Sequence, residues 1–81
     1  DVVESNEAFA ARACAVARGL HFDPVKTNPN GGAVALGAHR RDRCIFTVKA
    51  IYELNRSGGR YALVTMCIGG GQGITAIFAH L

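Results

Sequence analysis

The chain has 81 residues, of which ten are glycine and 49% are apolar, a composition that excludes intrinsic disorder and suits a small α/β unit. Because a chain of this length buries only about 60% of its unfolded surface, we expect it to be a segment of a larger domain. The formal net charge of only +3 does not predict a nucleic-acid partner. No apolar run approaches the roughly 18 residues of a membrane span, so no membrane partner is predicted either.

The first predicted elements are a short strand and a helix. Residues 2–3 are apolar and fit the end of a strand, and Ser5 or Asn6 offers a side-chain oxygen that would cap the helix after it. Four apolar residues recur at helical spacing and predict a buried face: Phe9, Ala13, Val16 and Leu20. Gly19 predicts the end of this helix, since glycine is common at helix C-termini.

A second helix and two strands follow in the predicted order. The helix covers about residues 43–55, with an apolar stripe formed by Cys44, Val48, Ile51 and Leu54. Residues 61–68 are almost continuously apolar and predict a strand buried on both faces. Residues 74–79 predict a strand that pairs antiparallel with it across a glycine turn. The predicted fold class is therefore α/β, a mixed sheet with packed helices.

Residues 66–73, with the sequence MCIGGGQG, place Cys67 where the apolar strand meets a glycine-rich turn. A thiol at such a turn can reach a substrate, and glycine lets backbone amides approach closely enough to stabilise an oxyanion. The alternative is a structural cysteine buried before a hairpin loop, because free cysteine is among the most buried residue types. Taken alone, this segment favours the structural alternative.

Three blocks in a fixed order resemble the thiolases: residues 6–10 (NEAFA), 28–37 (NPNGGAVALG) and 67–71 (CIGGG). They are similar to the C-terminal signatures of acetyl-CoA acetyltransferases and 3-ketoacyl-CoA thiolases. Residues 52–56 (YELNR) and 59–66 (GRYALVTM) look most similar to bacterial β-ketothiolases of polyhydroxyalkanoate synthesis. The resemblance implies a layered α/β fold with helices between two sheets, and it implies that this chain is part of the C-terminal half.

The resemblance also implies a reaction and its partners. Thiolases catalyse the Claisen condensation of two acyl-CoA molecules, typically two acetyl-CoA to acetoacetyl-CoA, or the reverse thiolysis of a 3-ketoacyl-CoA. Their nucleophilic cysteine lies in the N-terminal half, so residues 1–81, as a C-terminal segment, are expected to be inactive alone. Cys14 and Cys44 are assigned to helix packing. The expected partners are acyl-CoA, CoA and the rest of a subunit that forms homodimers or homotetramers; CoA thioesters are substrates, so no cofactor is expected.

Three catalytic candidates follow from the resemblance. Cys67 matches the family's second cysteine, which acts as acid and base at the α-carbon of acetyl-CoA or at the leaving carbanion. Gly69 matches the glycine whose backbone N–H helps to form an oxyanion hole. Asn6 matches an asparagine that holds a water, and this water donates to the thioester oxygen of the substrate. The alternative role of Asn6 is to cap the first helix.

One stretch departs from the family pattern. After residue 37 thiolases continue with His-Pro, a loop with two further glycines and Ala-Arg, whereas this chain reads AHRRDR over residues 38–43. His39 is therefore displaced by one position from the family's active-site histidine, and we keep it as a fourth candidate. We interpret residues 38–43 as the product of two compensating reading-frame errors. A true deletion, which predicts an impaired enzyme, is the rival explanation.

A small basic binding module and an inactive thiolase relic are the alternatives to an enzyme. Arg40, Arg41 and Arg43 form a basic cluster, but Asp42 lies within it and no aromatic residue adjoins it, which is typical of a solvated loop. A binding module would fold alone and bind polyanions with a steep salt dependence, whereas a thiolase segment would fold poorly alone. Three cysteines without close spacing predict neither disulfides nor a metal site and favour the cytoplasm.

Overall fold

The structure is a computed structural model that describes residues 1–36 and 42–81. The described residues form three strands and three helices: β1 Val2–Ser5, α1 Ala10–Gly19, α2 Ala33–Leu36, α3 Asp42–Ser57, β2 Tyr61–Gly69 and β3 Gln72–Ala79. The predicted α/β class is confirmed, as is the order of the five predicted elements; the four-residue helix α2 between the two predicted helices was not predicted. None of the described helices is long and apolar enough to span a bilayer.

The described strands form one mixed sheet in the order β1-β2-β3. β1 runs parallel to β2, with Val2 opposite Ala62, and β3 pairs antiparallel with β2 as predicted. Two parallel neighbours need a long crossover connection, and here that connection contains the helices. The carboxyl ends of β1 and β2 therefore lie at the same edge of the sheet. This edge carries Asn6 and Cys67.

The core lies between α3 and one face of the sheet. Its buried apolar residues are Val2, Ala33, Phe46, Ala50, Leu54, Ala62 and Val64. Successive side chains of a strand point to opposite faces of a sheet, so β2 contributes alternate residues to this core. Leu63 and Thr65, on the other face of β2, are only half-buried. The prediction that this strand is buried on both faces is therefore wrong for this chain.

The helix α3 is slightly longer than the predicted residues 43–55 and buries a different stripe. Phe46, Ala50 and Leu54 face the sheet at intervals of four residues and are 3%, 0% and 3% exposed. The predicted stripe shares only Leu54 with the observed one, and its other members are exposed: Cys44, Val48 and Ile51. Both stripes are apolar with helical spacing, so the side of the helix that contacts the sheet decides between them.

The helix α1 begins later than predicted and lies on the surface. Its N-cap is Phe9, which has an extended backbone and no side-chain cap hydrogen bond, so neither Ser5 nor Asn6 caps it. No residue of α1, which is described throughout, is buried, and Phe9 and Leu20 are 75% and 63% exposed. The predicted buried face is wrong for this chain because α3, not α1, covers the core face of the sheet. The predicted end at Gly19 is confirmed.

The three cysteines all lie in the described ranges and form no disulfide. Cys14 on α1 and Cys44 on α3 are exposed. Their predicted roles in helix packing are therefore wrong for this chain, because each points away from the core that α3 forms with the sheet. Cys67 in β2 is half-buried, so it is the cysteine that combines a fixed environment with access to solvent.

Candidate active site

The carboxyl ends of β1 and β2 bring Asn6 and Cys67 together. The parallel pairing continues one residue beyond β1, where the backbone N–H of Asn6 donates to the Thr65 carbonyl at 2.9 Å. The side-chain Nδ2 of Asn6 lies 4.0 Å from the Sγ of Cys67, although 61 positions separate the two residues in the sequence. The Asn6 amide therefore faces the thiol and does not cap the helix.

A cavity of about 190 Å³ opens in front of this pair. Its polar walls come from β1, α1 and the β2–β3 hairpin and include Ser5, Asn6, Arg12, Thr65, Cys67 and Gln72. Asn6 and Cys67 are each half-buried, so their neighbours hold them in place while a ligand can still reach them. This geometry differs from that of a fully buried structural cysteine.

Arg12 lines the cavity but is not among the site residues predicted from the sequence. Its guanidinium Nη2 donates to the backbone carbonyl of Asn6 at 3.3 Å, and its side chain lines the cavity. Arg12 therefore fixes the Asn6 backbone from α1 and places a permanent positive charge in the cavity. The sequence signal was a cation outside the apolar face of the first helix, a pattern that usually indicates only exposure to solvent.

Three glycines shape the turn that ends β2. Gly69, Gly70 and Gly71 have φ values of 115°, 57° and 76°, and Gly69 pairs with Gln72 after a register shift that follows Cys67. Positive φ at both central residues is typical of a type I′ hairpin turn and favours glycine. An added Cβ at Gly69 would meet no atom within 4 Å. The backbone conformation, not crowding within the chain, therefore favours glycine at Gly69.

The structure places the four candidates differently. It brings Asn6 and Cys67 together, and it places Gly69 two residues along β2 from Cys67, outside the described residues that line the cavity. His39 lies in residues 37–41, outside the described ranges. The departure from the family pattern begins in that same segment, so the role of His39 stays a prediction.

A buried ion pair between β1 and α3 lies near this edge of the sheet. Glu4 is fully buried, and its Oε2 lies 3.4 Å from the Nζ of Lys49. Lys49 also donates a hydrogen bond to the Gly31 carbonyl, and neither side-chain oxygen of Glu4 has a hydrogen-bond partner of good geometry among the described residues. Burial raises the pKa of Glu4, and the Lys49 ammonium opposes that rise.

Glu53 holds the loop after residue 28 against α3. It is 4% exposed and accepts hydrogen bonds from Asn30 Nδ2 at 2.8 Å and from Arg56 at 2.9 and 2.5 Å. The hydrogen bonds from Arg56 and then Asn30 lower the pKa of Glu53 to about 2. Glu53 is therefore a structural anchor. In the part of the chain that the structure describes, no group of three or more His, Cys, Asp or Glu side chains could hold a metal ion.

Known proteins share both the sequence and the fold of this chain. The family model described as "Thiolase, C-terminal domain" matches residues 1–80. The chain is 61% identical over 82 residues to beta-ketothiolase BktB of Cupriavidus necator, covering 100% of this chain and 21% of that protein. The solved structure of Bacillus anthracis acetyl-CoA acetyltransferase is similar with a TM-score of 0.87 and 40% identity, over 95% of this chain and 20% of that one. Human mitochondrial 3-ketoacyl-CoA thiolase, solved in complex with CoA, gives a TM-score of 0.79 and 50% identity over the same shares.

These matches cover nearly all of this chain but a small part of each relative. The chain spans about a fifth of the length of the relatives it matches. The resemblance seen in three sequence blocks is confirmed by the family match and by the shared mixed sheet and helices. By both sequence and fold, the chain belongs to the thiolase family.

Proposed function

We propose that residues 1–81 are the C-terminal segment of the C-terminal domain of a thiolase subunit. The complete subunit would join two acyl-CoA molecules by Claisen condensation, typically two acetyl-CoA to acetoacetyl-CoA, or cleave a 3-ketoacyl-CoA by thiolysis. The observation that carries this proposal is the Asn6 amide 4.0 Å from the Cys67 thiol, on the wall of an open cavity. The names of the relatives, a β-ketothiolase and an acetyl-CoA acetyltransferase, support the reaction class.

Cys67 would carry out the acid–base step. As a thiolate it accepts a proton from the α-carbon of the second acyl-CoA. The electron pair of that C–H bond forms the new carbon–carbon bond to the enzyme-bound acyl group, and the nucleophilic cysteine leaves as a thiolate. In thiolysis the Cys67 thiol gives its proton to the leaving carbanion. Its half-burial supports this role because a general acid or base needs both fixed neighbours and contact with the substrate.

Asn6 and Gly69 would stabilise the negative charge that develops on the thioester oxygen. Such charge is stabilised best by donors already fixed in position. The Asn6 backbone bonds to the Thr65 carbonyl and to the Arg12 guanidinium, so its side-chain amide is well placed to hold the donating water. Gly69 follows the register shift in β2 and would present its N–H as a second donor.

Exposed apolar side chains support the rest of a subunit as partner. Phe9, Val25 and Ile77 are 75%, 82% and 68% exposed, although each is large and apolar. Apolar surface that a soluble protein leaves exposed commonly marks a contact with other protein. The rest of the subunit would bury these side chains and would supply the nucleophilic cysteine and most contacts to CoA.

Acyl-CoA and CoA are the proposed substrates, and no separate cofactor is proposed because the thioester already carries an activated acyl group. The human relative was solved in complex with CoA, which supports this substrate class. A homodimer or homotetramer and a cytoplasmic location stay predictions, and that same relative is mitochondrial. His39 stays a predicted catalytic residue at a displaced position.

The test is acyl transfer by the full-length protein that contains this segment, produced from its source gene. Incubation with acetyl-CoA is expected to give acetoacetyl-CoA and CoA, and incubation with acetoacetyl-CoA and CoA is expected to give acetyl-CoA. The Asn6→Ala variant is expected to lower the condensation rate by about 10²- to 10³-fold, the usual loss when one oxyanion donor is removed. Asn55→Ala, at an exposed asparagine near the end of α3, is the matched control and should leave the rate unchanged.

Two outcomes would contradict the proposal. A protein that binds acetyl-CoA without transferring its acyl group would be a relic, as a true deletion within residues 38–43 predicts. Full condensation activity in Asn6→Ala would remove Asn6 from the site. Resequencing the gene through the codons for residues 37–44 separates a relic from an error in the sequence, because a recovered Gly-His-Pro loop would restore the family pattern.

A further inference from the structure

Glu7 joins two separate segments of the chain next to the candidate site. Its Oε2 accepts a hydrogen bond from the backbone N–H of Val34 at 2.9 Å, and its Oε1 accepts one from Asn28 Nδ2 at 3.1 Å. The donors are 27 and 21 positions away in the sequence. Both carboxylate oxygens are therefore used to hold residues 28–34, a loop together with the first two residues of α2, which we call the anchored loop.

Asn28 fixes the direction of the donor that faces Glu7. Its Oδ1 accepts from the Ser5 backbone N–H at 2.8 Å, and its Nδ2 donates to the Ser5 carbonyl at 3.0 Å. Its own backbone N–H donates to the Val3 carbonyl at 2.7 Å. Because Ser5 sets which end of the Asn28 amide is the donor, the group opposite must be an acceptor. Glu7 satisfies this requirement.

The Glu7 carboxylate occupies the space that a side chain at Gly32 would need. An added Cβ at Gly32 would lie 2.3 Å from both Cδ and Oε2 of Glu7, a distance that carbon and oxygen atoms do not tolerate. Gly32 is buried, and its φ is not in the left-handed region. A side chain at Gly32 is therefore incompatible with the present position of the Glu7 carboxylate, and Gly32→Ala would have to move the end of the Glu7 side chain.

The anchored loop has a second attachment to β1. Lys49 on α3 donates to the Gly31 carbonyl and lies 3.4 Å from the carboxylate of Glu4. The buried Glu4 side chain thus holds Lys49 beneath the loop. Two carboxylates that flank Asn6 in the sequence therefore hold the anchored loop: Glu7 bonds to it directly, and Glu4 in β1 acts through Lys49.

We propose that Glu7 is a positioning residue, whose carboxylate ties the anchored loop to the end of β1 and thereby holds the adjacent Asn6 against Cys67. Glu7 is not among the residues that line the cavity, and it touches no reacting atom in this scheme. Its effect on the reaction acts through the position of Asn6. This inference rests on the proposed thiolase function.

The test uses the full-length protein and separates the two half-reactions. Glu7→Ala removes both hydrogen bonds and is expected to lower kcat for condensation by about 10- to 100-fold, as a displacement of about 1 Å does elsewhere. Glu7→Gln keeps the shape but presents a donor to either Val34 or Asn28, so a loss of about fivefold is expected. Two quantities should stay within about twofold of wild type: the KM for acetyl-CoA and the rate at which the nucleophilic cysteine forms its acyl thioester. Under the proposed function neither formation of the first acetyl-CoA complex nor acylation uses Asn6.

Asp23→Asn is the matched control for the carboxylate-to-amide change. Asp23 is an exposed acid that bonds within its own turn, to the Val25 N–H at 3.0 Å and to Lys26. This variant should leave both half-reactions unchanged.

A second set of variants distinguishes positioning from loss of folding. Gly32→Ala should displace the end of the Glu7 side chain from its two hydrogen bonds, so kcat for condensation should fall about as far as in Glu7→Ala while the protein still folds. In the Gly32→Ala/Glu7→Ala pair the two losses should not add, because both changes remove the same contacts. Gly19→Ala, where an added Cβ meets no atom within 4 Å, is the control and should leave kcat unchanged.

The outcomes separate this inference from the proposed function. An active wild type with full condensation in both Glu7 variants would overturn the positioning role and leave the thiolase assignment intact. An equal loss in acylation and condensation would also overturn it, since that pattern is the signature of general misfolding. A wild type without any acyl transfer would overturn the proposed function itself, and the role of Glu7 with it.

Discussion

Two parts of the chain have equally regular secondary structure but differ in burial. Where α3 packs on β1 and β2, Ala50 and Ala62 are 0% exposed. In α1 the apolar residue Val16 is only half-buried, and in β3 the apolar residue Ile77 is exposed. Periodicity and propensity suffice to form a helix or a strand, but burial needs a second element to pack against. Among the described residues, α3 packed on β1 and β2 is thus a completed contact between layers, whereas α1 and β3 are elements whose partner, under the proposed function, belongs to the rest of the subunit.

The largest effect is expected in the completed contact. Phe46 of α3 is 3% exposed, so Phe46→Ala removes a buried ring and should cost about 3–5 kcal/mol of the free energy of unfolding. Denaturant unfolding of the full-length protein measures this cost. Asn55→Ala, on the same helix but exposed, should stay within about 0.5 kcal/mol of wild type. Equal effects of the two variants would mean that α3 does not form the core described above.

A charge introduced into β3 should have opposite effects on the isolated chain and on the full-length protein. Ile77 in β3 is 68% exposed in this chain, so Ile77→Lys should raise the soluble fraction of the isolated chain by reducing association of exposed apolar strands. In the full-length protein, where under the proposed function the rest of the subunit buries Ile77, the same change should cost about 2–5 kcal/mol of the free energy of unfolding. His80→Lys, at an exposed position beside β3, should alter neither. An isolated chain that is soluble, monomeric and unaffected by Ile77→Lys would favour the binding-module alternative.

A smaller effect concerns the pH dependence of stability in the completed contact. Burial raises the pKa of Glu4 above the ordinary value of 4.5, against the opposing effect of Lys49. The folded state therefore holds the Glu4 proton more tightly than the unfolded state, and stability should fall as the pH rises from 4.5 through the raised pKa. Each unit by which the pKa is raised corresponds to about 1.4 kcal/mol.

Glu4→Gln should remove that decline, and unfolding measured at several pH values above 4.5 tests it. Glu53 does not interfere, because its pKa is lowered to about 2; its stabilising contribution is complete above 4.5 and is lost only as the pH falls toward 2. Asp23→Asn should leave the decline in place. A decline of the same size in Glu4→Gln would assign it to another group.

The smallest effect is expected at the hairpin turn. Gly70 has a φ of 57°, so Gly70→Ala places a side chain in the left-handed region at a cost of roughly 1–2 kcal/mol. Gly19→Ala at the end of α1 should cost no more than about 0.5 kcal/mol, since an added Cβ there meets no atom within 4 Å. The difference between their thermal midpoints measures the strain. A neutral Gly70→Ala would show that the turn adopts another form.

The secondary structure was largely predictable, and the burial was not. The hairpin of β2 and β3 follows from two apolar runs around glycines, and α3 follows from apolar spacing. The buried face of α3 could not be chosen, because Cys44 and Val48 are as well spaced as Phe46 and Ala50. Only the position of the sheet decides between those stripes. The same limit explains the error at α1, where an apolar face has no covering element in the described part of the chain.

The candidate site was predictable only through the resemblance to a family. Nothing in periodicity indicates that Asn6 and Cys67 meet, because 61 positions separate them and their contact depends on parallel pairing of two strands. The role of Glu7 was not predicted at all. Its fit to Gly32 depends on the shape of a loop, and its acceptor role depends on how Ser5 orients Asn28. These contacts join residues that are far apart in the sequence, so they could be identified only from the three-dimensional structure.

Under the proposed function, Cys67 acts in condensation and not in acylation. The measurement is intact mass of the full-length Cys67→Ala variant after incubation with acetyl-CoA, together with its rate of acetoacetyl-CoA formation. We predict that the variant gains the mass of one acetyl group on its nucleophilic cysteine and forms no acetoacetyl-CoA, while Cys14→Ala behaves as wild type. Acetoacetyl-CoA formation at the wild-type rate in Cys67→Ala would contradict the account.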